Sequence, residues 1–451
     1  MSNEPAIDRA RSSDADIRQS AATELARAPE ENLPLVLDLL GDRDWRVRKT
    51  VVEGLVDHPT ANVVEHLIEA LRDGTNAGRR NSATEALVRI GELAIDPIIA
   101  TLEREDDPDV RLSLINLLGD LRNDRGFEML QRILSQESDV NLASGAATSL
   151  GRYRRPESLE TLTEALKRDE PWLRFHVIEA LGEIGDRTVL PEILPLYSES
   201  SLRKPIIEAI GRIGEVGTVN FLLRVIAEEE KLNLMALKAL VNIAEAEKPR
   251  VMREAERSLI QKKVSAAFPR DKFDPLVEHL RKTPRREVRV FILKVLGWSG
   301  DDRAVPVLLE FLTHADVADI AAQALADFGP AATDAVLETL RNADEDEQVA
   351  LLLRIIHMIA GREAVPTVLG FLDHRNAEIR KYGIETLGDL KGRDIAFADP
   401  ISESGYLFPL DLFVQAGLIA ERADQSEFFG RVFFAGGYQQ AMQAMAGGLV
   451  D

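Results

Sequence analysis

A leucine or isoleucine returns along this chain at a nearly constant interval: Leu25, Leu55, Leu87, Leu118, Leu150, Leu181, Ile210, Leu240, Leu296, Leu325, Ile356 and Leu387. Ten of the eleven gaps measure 29–32 residues, and the remaining one, Leu240 to Leu296, measures 56. Self-similarity of this period constrains the fold more than any other feature of the sequence. It marks a supersecondary unit that buries its apolar side only against copies of itself.

Three more columns keep the same phase. Eight residues before the landmark stand Ile17, Val47, Val110, Leu142, Leu173, Leu202, Leu232, Val288, Val317 and Ile379, with Arg79 and Gln348 departing from the pattern. The next position is arginine at Arg18, Arg48, Arg80, Arg111, Arg174, Arg203, Arg289 and Arg380. Ten residues after the landmark a proline recurs at Pro97, Pro191, Pro306 and Pro366, with Pro34 one place early. Positions eight apart share a helical face. Glycine beside the landmark ends that helix, and proline opens the next, where its missing N–H is not needed. Each unit is thus expected to be helix, short turn, helix, with no alternating strand pattern.

The stretch "LGEIGDR" at Leu181 invites a second reading, a glycine-rich phosphate loop. Its counterparts are "IGRIGEV" at Ile210, "LGWSGDD" at Leu296 and "LGDLKGR" at Leu387. A phosphate loop follows a strand and occurs once, so these are turns of the repeat.

The cadence, seen whole in "LRFHVIEALGEIGDR" at Leu173, resembles HEAT-like repeats of the short type found in phycobilisome lyases, over about residues 14–395. The resemblance implies an all-α, right-handed α-solenoid of about twelve helix pairs. It also implies a ladder of Asp and Arg residues along the stack, which Asp16, Asp109 and Asp316 would join, and a structural role for the arginine column. The helix carrying that column would be the inner one, lining a concave groove.

Two positions before each landmark the residue is always polar: Thr23, Glu53, Glu85, Asn116, Thr148, Glu179, Glu208, Lys238, Lys294, Gln323, Arg354 and Glu385. Such a column reads as a solvent-facing lane, acidic from Glu53 to Glu208 and basic at Lys238, Lys294 and Arg354. It suits an extended or helical protein partner of matching charge. Phe175 and His176 share a helix with Glu179 and are candidate anchors.

The net charge is −21, which disfavours duplex DNA or an anionic membrane as the general partner. The charge is uneven. Between Lys248 and Arg289 there are 13 Lys or Arg against 6 Asp or Glu. This segment contains an insertion of about residues 246–271 that fills the long gap. A basic helix there is expected to dock on the protein's own acidic face, with an acidic partner or a nucleic-acid backbone as alternatives. The last segment, 396–451, is rich in aromatics. The spacing of Phe428, Phe429, Phe433 and Phe434 is that of one side of a helix, and the expectation is a cap folded back near Ile384 and Leu387, or else a docking segment.

The chain has no cysteine, which removes thiolate chemistry, disulfides and cysteine-held zinc. The start "MSNEPAIDRARSSDAD" has no apolar stretch of signal-peptide type, so a cytoplasmic protein is expected. None of the 7 histidines is followed by Glu, unlike solenoid hydroxylases that hold two irons on His-Glu pairs, and no two histidines are spaced as an i, i+4 metal pair. No nucleophile, metal cluster or cofactor loop stands out, and no cofactor is expected. The sequence therefore points to a solenoid scaffold, residues 1–395 with a C-terminal cap, that binds another protein along the lane without catalysing a reaction. The alternatives are a phycobilin-lyase-like protein acting on a tetrapyrrole–protein adduct and nucleic-acid binding through the basic insertion. Oligomeric state is left open.

Overall fold

The computed structural model describes residues 5–359, 364–371, 374–388, 395–397 and 432–434. They belong to two compact units, Met1–Glu215 and Val216–Asp451. The chain is an all-α solenoid of stacked helix pairs, and the repeat runs through both units.

In the first unit the landmark helices are Ala15–Leu25, Trp45–Asp57, Ala77–Ile90, Pro108–Leu121, Val140–Tyr153, Pro171–Ile184 and Arg203–Ile213. Between them lie Leu33–Leu40, Ala61–Ala70, Glu92–Leu102, Asp124–Gln136, Leu159–Ala165 and Leu190–Ile193. The starts are set locally. The side chains of Asp14, Asp44, Asn76, Asp107 and Asp139 accept hydrogen bonds from backbone N–H groups two or three residues ahead, satisfying donors that have no partner within the helix. Gly185 and Gly214 close two helices in the left-handed conformation. Pro34 and Pro191 sit in the first turn as expected. Pro97 lies inside its helix instead, because that helix begins directly after Gly91 and leaves no room for a longer turn.

Landmarks Leu55, Leu87, Leu118, Leu150, Leu181 and Ile210 are fully buried, each worth about 1.5–3 kcal/mol relative to exposure. Ile17 differs from the rest of its column and is 42% exposed. The only described element before its helix is the four-residue Ala6–Arg9, too short to cover it. Successive landmark helices approach closely through small residues. A Cβ on Gly151 would stand 2.8 Å from the Cα of Ala180, one repeat on.

The arginine column works in the loops. Arg18 donates to the carbonyls of Ser12 and Ser13, Arg48 to that of Asp42, Arg174 to that of Leu166 and Arg203 to that of Tyr197. Each closes the turn that precedes its own helix. Several also reach a carboxylate in the turn before the next landmark helix: Arg18 to Asp42, Arg111 to Glu137 and Arg174 to Glu199, at 2.6, 2.6 and 2.9 Å. Within that ladder Asp16 pairs with Arg46 rather than with a column arginine, and Asp109 lies in the first turn of its helix. An acid recurs in these turns at Asp42, Asp73, Glu105, Glu137 and Glu199, 11–14 residues before the next landmark, a looser register than the other columns keep. Four of these acids also accept the amide two residues on.

The second unit alternates Val219–Glu228, Asn233–Glu245, Phe273–Lys282, Arg286–Trp298, Ala304–Phe311, Ala318–Phe328, Thr333–Arg341, Asp346–Ile359, Val365–Leu369 and Ala377–Gly388. Leu240, Leu296, Leu325 and Ile356 are fully buried. Arg289 donates to the Thr283 carbonyl and pairs with Asp316 at 3.3 Å, and Arg380 donates to the His374 and Arg375 carbonyls, so the column keeps its role here. The insertion forms the helix Arg250–Ala267. It docks on its own unit through the fully buried Ile260 and Val264 and an ion pair from Arg257 to Asp327 at 2.6 Å, an apolar seam with one carboxylate rather than the acidic face expected.

The described part of the C-terminal segment departs from expectation. Phe433 and Phe434 lie on the strand Val432–Phe434, not on a helix, and this strand pairs in parallel with Ile395–Phe397. A β-branched residue followed by two aromatics fits a pleated surface, and that preference prevails over the helical spacing of the four phenylalanines. Phe428 and Phe429 fall outside the described residues, as do the side chains of Ile384 and Leu387, so the proposed cap contact does too.

Candidate functional site

Two positions before a buried landmark is about 200° round the helix, so the lane faces away from the core. Among the lane residues none is buried. In the first unit Glu53, Glu85 and Glu208 are exposed, and Asn116, Thr148 and Glu179 are half-buried. Glu85 lies 3.6 Å from Arg89 on its own helix. Glu53 and Glu208 form no ion pair among the described residues. The Asn116 carbonyl accepts from Arg152, which also pairs with Asp120 at 2.9 Å.

The centre of this stretch is an aromatic cluster on the helix Pro171–Ile184. Trp172 is 56% exposed and stacks on Phe175 with ring centroids 6.1 Å apart and planes at 11°. His176 meets Trp172 edge-on at 4.7 Å and Phe175 at 5.3 Å. Its Nδ1 lies 3.3 Å from the Thr148 hydroxyl and 3.4 Å from a Glu179 carboxylate oxygen. The geometry brings together Thr148, Phe175, His176 and Glu179 and adds Trp172, which the polar lane could not reveal. Its signal was present as the i, i+3, i+4 spacing of Trp172, Phe175 and His176. The cluster offers an exposed tryptophan in a group that also holds the Glu179 carboxylate, an arrangement that attracts a cation.

The basic members behave differently. In the second unit Lys238 pairs with Glu287 at 2.6 Å, Lys294 with Glu245, and Arg354 with Asp319 at 2.9 Å. Their charge is already met within the unit. The expected change of sign along the lane is therefore present in the residues and largely absent from the charge offered to a partner. Among the described residues no group of His, Asp and Glu is placed to hold a metal ion, and no helix is long and apolar enough to cross a membrane.

A family model for HEAT repeats matches residues 3–88, 95–174, 165–234 and 273–354. A second, for the periplasmic substrate-binding protein of phosphonate ABC transporters, matches residues 379–451. The chain is 25% identical over 212 residues to the bilin biosynthesis protein PecE of Mastigocladus laminosus, covering 45% of this chain and 78% of that protein. It is 29% identical over 150 residues to an uncharacterised phycocyanin operon protein Z of Pseudanabaena tenuis, covering 31% of this chain and 72% of that one. Among solved structures it is similar to the karyopherin Kap121p bound to the SUMO protease Ulp1p, with a TM-score of 0.49 and 14% identity over 91% of this chain. The chain spans 54% of that karyopherin's length. The CpcE–CpcF complex of phycocyanin lyase from Nostoc gives a TM-score of 0.33 at 16% identity, covering 58% of this chain and 93% of that one. With repeat matches over most of its length, and the buried landmarks in register beneath them, this chain belongs to the HEAT repeat proteins.

Proposed function

We propose that the chain is a non-enzymatic scaffold that holds a basic segment of a protein partner on the landmark-helix face of its first unit. The observation that carries this reading is Trp172, more than half exposed and stacked on Phe175 in a lane whose nearby acids Glu179 and Glu208 remain accessible. An exposed aromatic platform contributes contact area at low side-chain entropy cost, and Trp is enriched among residues that dominate binding. The carboxylates steer and orient a cationic partner. The test is capture of partners from the native organism with the full chain, followed by affinity measurement with Trp172→Ala and with Glu53→Lys/Glu208→Lys. The scaffold reading expects at least tenfold weaker binding with melting unchanged. Undiminished affinity in both variants sinks it.

The relatives support a second reading, a phycobilin-lyase-like protein acting on a tetrapyrrole–protein adduct. Both proteins named above are attached to bilin or phycocyanin chemistry by name, and each is matched over more than two thirds of its own length. Co-purification of a bilin, seen in the visible spectrum, and its transfer to or from a phycobiliprotein would favour this reading over the scaffold. Nucleic-acid binding through the insertion is less favoured, because Lys248, Arg250 and Arg257 are held by Glu256, Glu254 and Asp327 and only Arg253, Lys262 and Lys263 of that helix are without an ion pair among the described residues, few for a phosphate backbone.

A further inference from the structure

The insertion helix Arg250–Ala267 uses only one side to dock. Ile260 and Val264 are fully buried, and Arg257 donates to Asp327, which also accepts from the Trp298 indole at 2.8 Å and from Gln323 at 3.0 Å. Three donors on one nearly buried carboxylate fix the helix in place. The other side carries Met252, 55% exposed, and Leu259, 46% exposed, with Ala255 and Ala266 also exposed. The spacing i, i+3, i+7, i+14 sets these four in one stripe. Lys262 and Lys263 flank it, and they form no ion pair among the described residues.

The stripe leads somewhere. Lys262 and Ala266 form one wall of a cleft of about 450 Å³, and Trp298, Phe328 and Ala331 form the other. The cleft exists because of the insertion. A Cβ on Gly300 would stand 3.2 Å from the Ser265 Cβ and 3.6 Å from its Cα, so the helix stands close against the repeat at one end of the recess. The Asp327 charge at the cleft is met by Arg257 and Trp298, and Asp302 is the second carboxylate on its lining.

We propose that this outer face is a docking site for an acidic amphipathic helix of a protein partner, independent of the lane in the first unit. The partner's apolar residues cover Met252, Ala255 and Leu259. One bulky apolar side chain enters the cleft against Phe328 and Ala331, over the nearly fully buried Trp298. Its carboxylates meet Lys262 and Lys263. The helix of 18 residues is about 27 Å long, enough for some five turns of a partner. A lipid surface would cover the stripe and leave the recess unused, and a phosphate backbone would use the lysines and leave the stripe unused. A protein helix uses both.

The test places Trp45→Phe and Trp172→Phe in the full chain, leaving Trp298 as the only tryptophan of the three. The probe is a tryptophan-free synthetic amphipathic peptide of Leu, Ala and Glu. Saturable change in Trp298 fluorescence is expected, weakened at least tenfold by Leu259→Glu and by Lys262→Glu/Lys263→Glu, and absent with a Leu, Ala and Lys peptide. Met252→Glu, near the helix start, gives a second apolar variant should Leu259→Glu alter melting. No binding of the acidic peptide, or binding that these variants leave unchanged, overturns the proposal. So does an equal Trp298 response to phosphatidylglycerol vesicles or to a single-stranded oligonucleotide.

Discussion

A Cβ placed on Gly182 would stand 2.9 Å from the Cα of Ala209. Gly182 follows the landmark Leu181, and Ala209 precedes the landmark Ile210 of the next repeat. The two positions set how closely successive helices approach, and the same relation joins Gly297 to Ala324 in the second unit.

Gly182→Val is therefore expected to destabilise the first unit by about 3 kcal/mol through overpacking against backbone that has nowhere to move. Gly185, three residues on, fails for another reason. Its φ is +77° and nothing lies within 4 Å of its would-be Cβ, so Gly185→Ala is expected to cost only about 1–2 kcal/mol of left-handed strain. Denaturant midpoints of the two variants, followed by a probe in the first unit, separate the mechanisms. Equal losses would contradict this account.

Leu181 is fully buried. Leu181→Asp places a carboxylate there without a partner, and a loss of several kcal/mol is expected. Wild-type melting in that variant would mean that the repeat register is misassigned.

Acid sensitivity follows from the acidic column. Burial works to raise the Asp42 carboxyl, but the hydrogen bonds from Arg18 and from the Asp44 amide outweigh it and hold it below the usual range. The Asp107 amide and Arg72 hold Glu105 low against its burial. A depressed folded pKa means that the stabilisation is present above the unfolded value of about 4 and is lost as pH falls through the lower folded value. Thermal melting should therefore drop below about pH 4, and Asp42→Asn should flatten that limb while lowering stability at neutral pH. An acid limb identical to wild type would remove Asp42 from the explanation.

Tyr153 titrates in the opposite direction. Burial pushes its phenol up to about 12, and the O–H donates toward the carbonyls of Leu118 and Asn123 at 2.8 and 3.0 Å. The raised value favours the neutral form in the fold, so stability is full below the unfolded value of about 10 and declines as pH rises toward the folded one. Melting followed across that window should show a decline in wild type that Tyr153→Phe, less stable at neutral pH, lacks. A parallel decline in both proteins would assign it elsewhere.

The parallel pair of Ile395–Phe397 and Val432–Phe434 bears on the C-terminal segment. Parallel strands need a crossover of a dozen or more residues, and the chain between them, 398–431, is long enough. Ending the chain after residue 394 is expected to leave the melting of the first unit unchanged. Aggregation, or a lower melting point of the second unit, would support a cap on the last repeats; an unchanged second unit would support a separate module.

The sequence by itself determined the repeat, the buried landmark row and the outward lane. These depend on helical periodicity and on a unit copied along the chain, and both are local properties. Leu55 through Ile356 could be assigned to the core without knowing what each one touches. The tertiary structure decided the rest, because each remaining feature joins residues far apart in sequence. Lys238 and Lys294 are neutralised by Glu287 and Glu245, 49 residues away in each case, so a charge read as available is spent inside the unit. Asp327 takes Arg257 from 70 residues away, and this contact decides which side of the insertion helix is left to face solvent. The local preference of Val432–Phe434 for a pleated surface is realised because Ile395–Phe397 lies opposite, a partner that no short window of sequence contains.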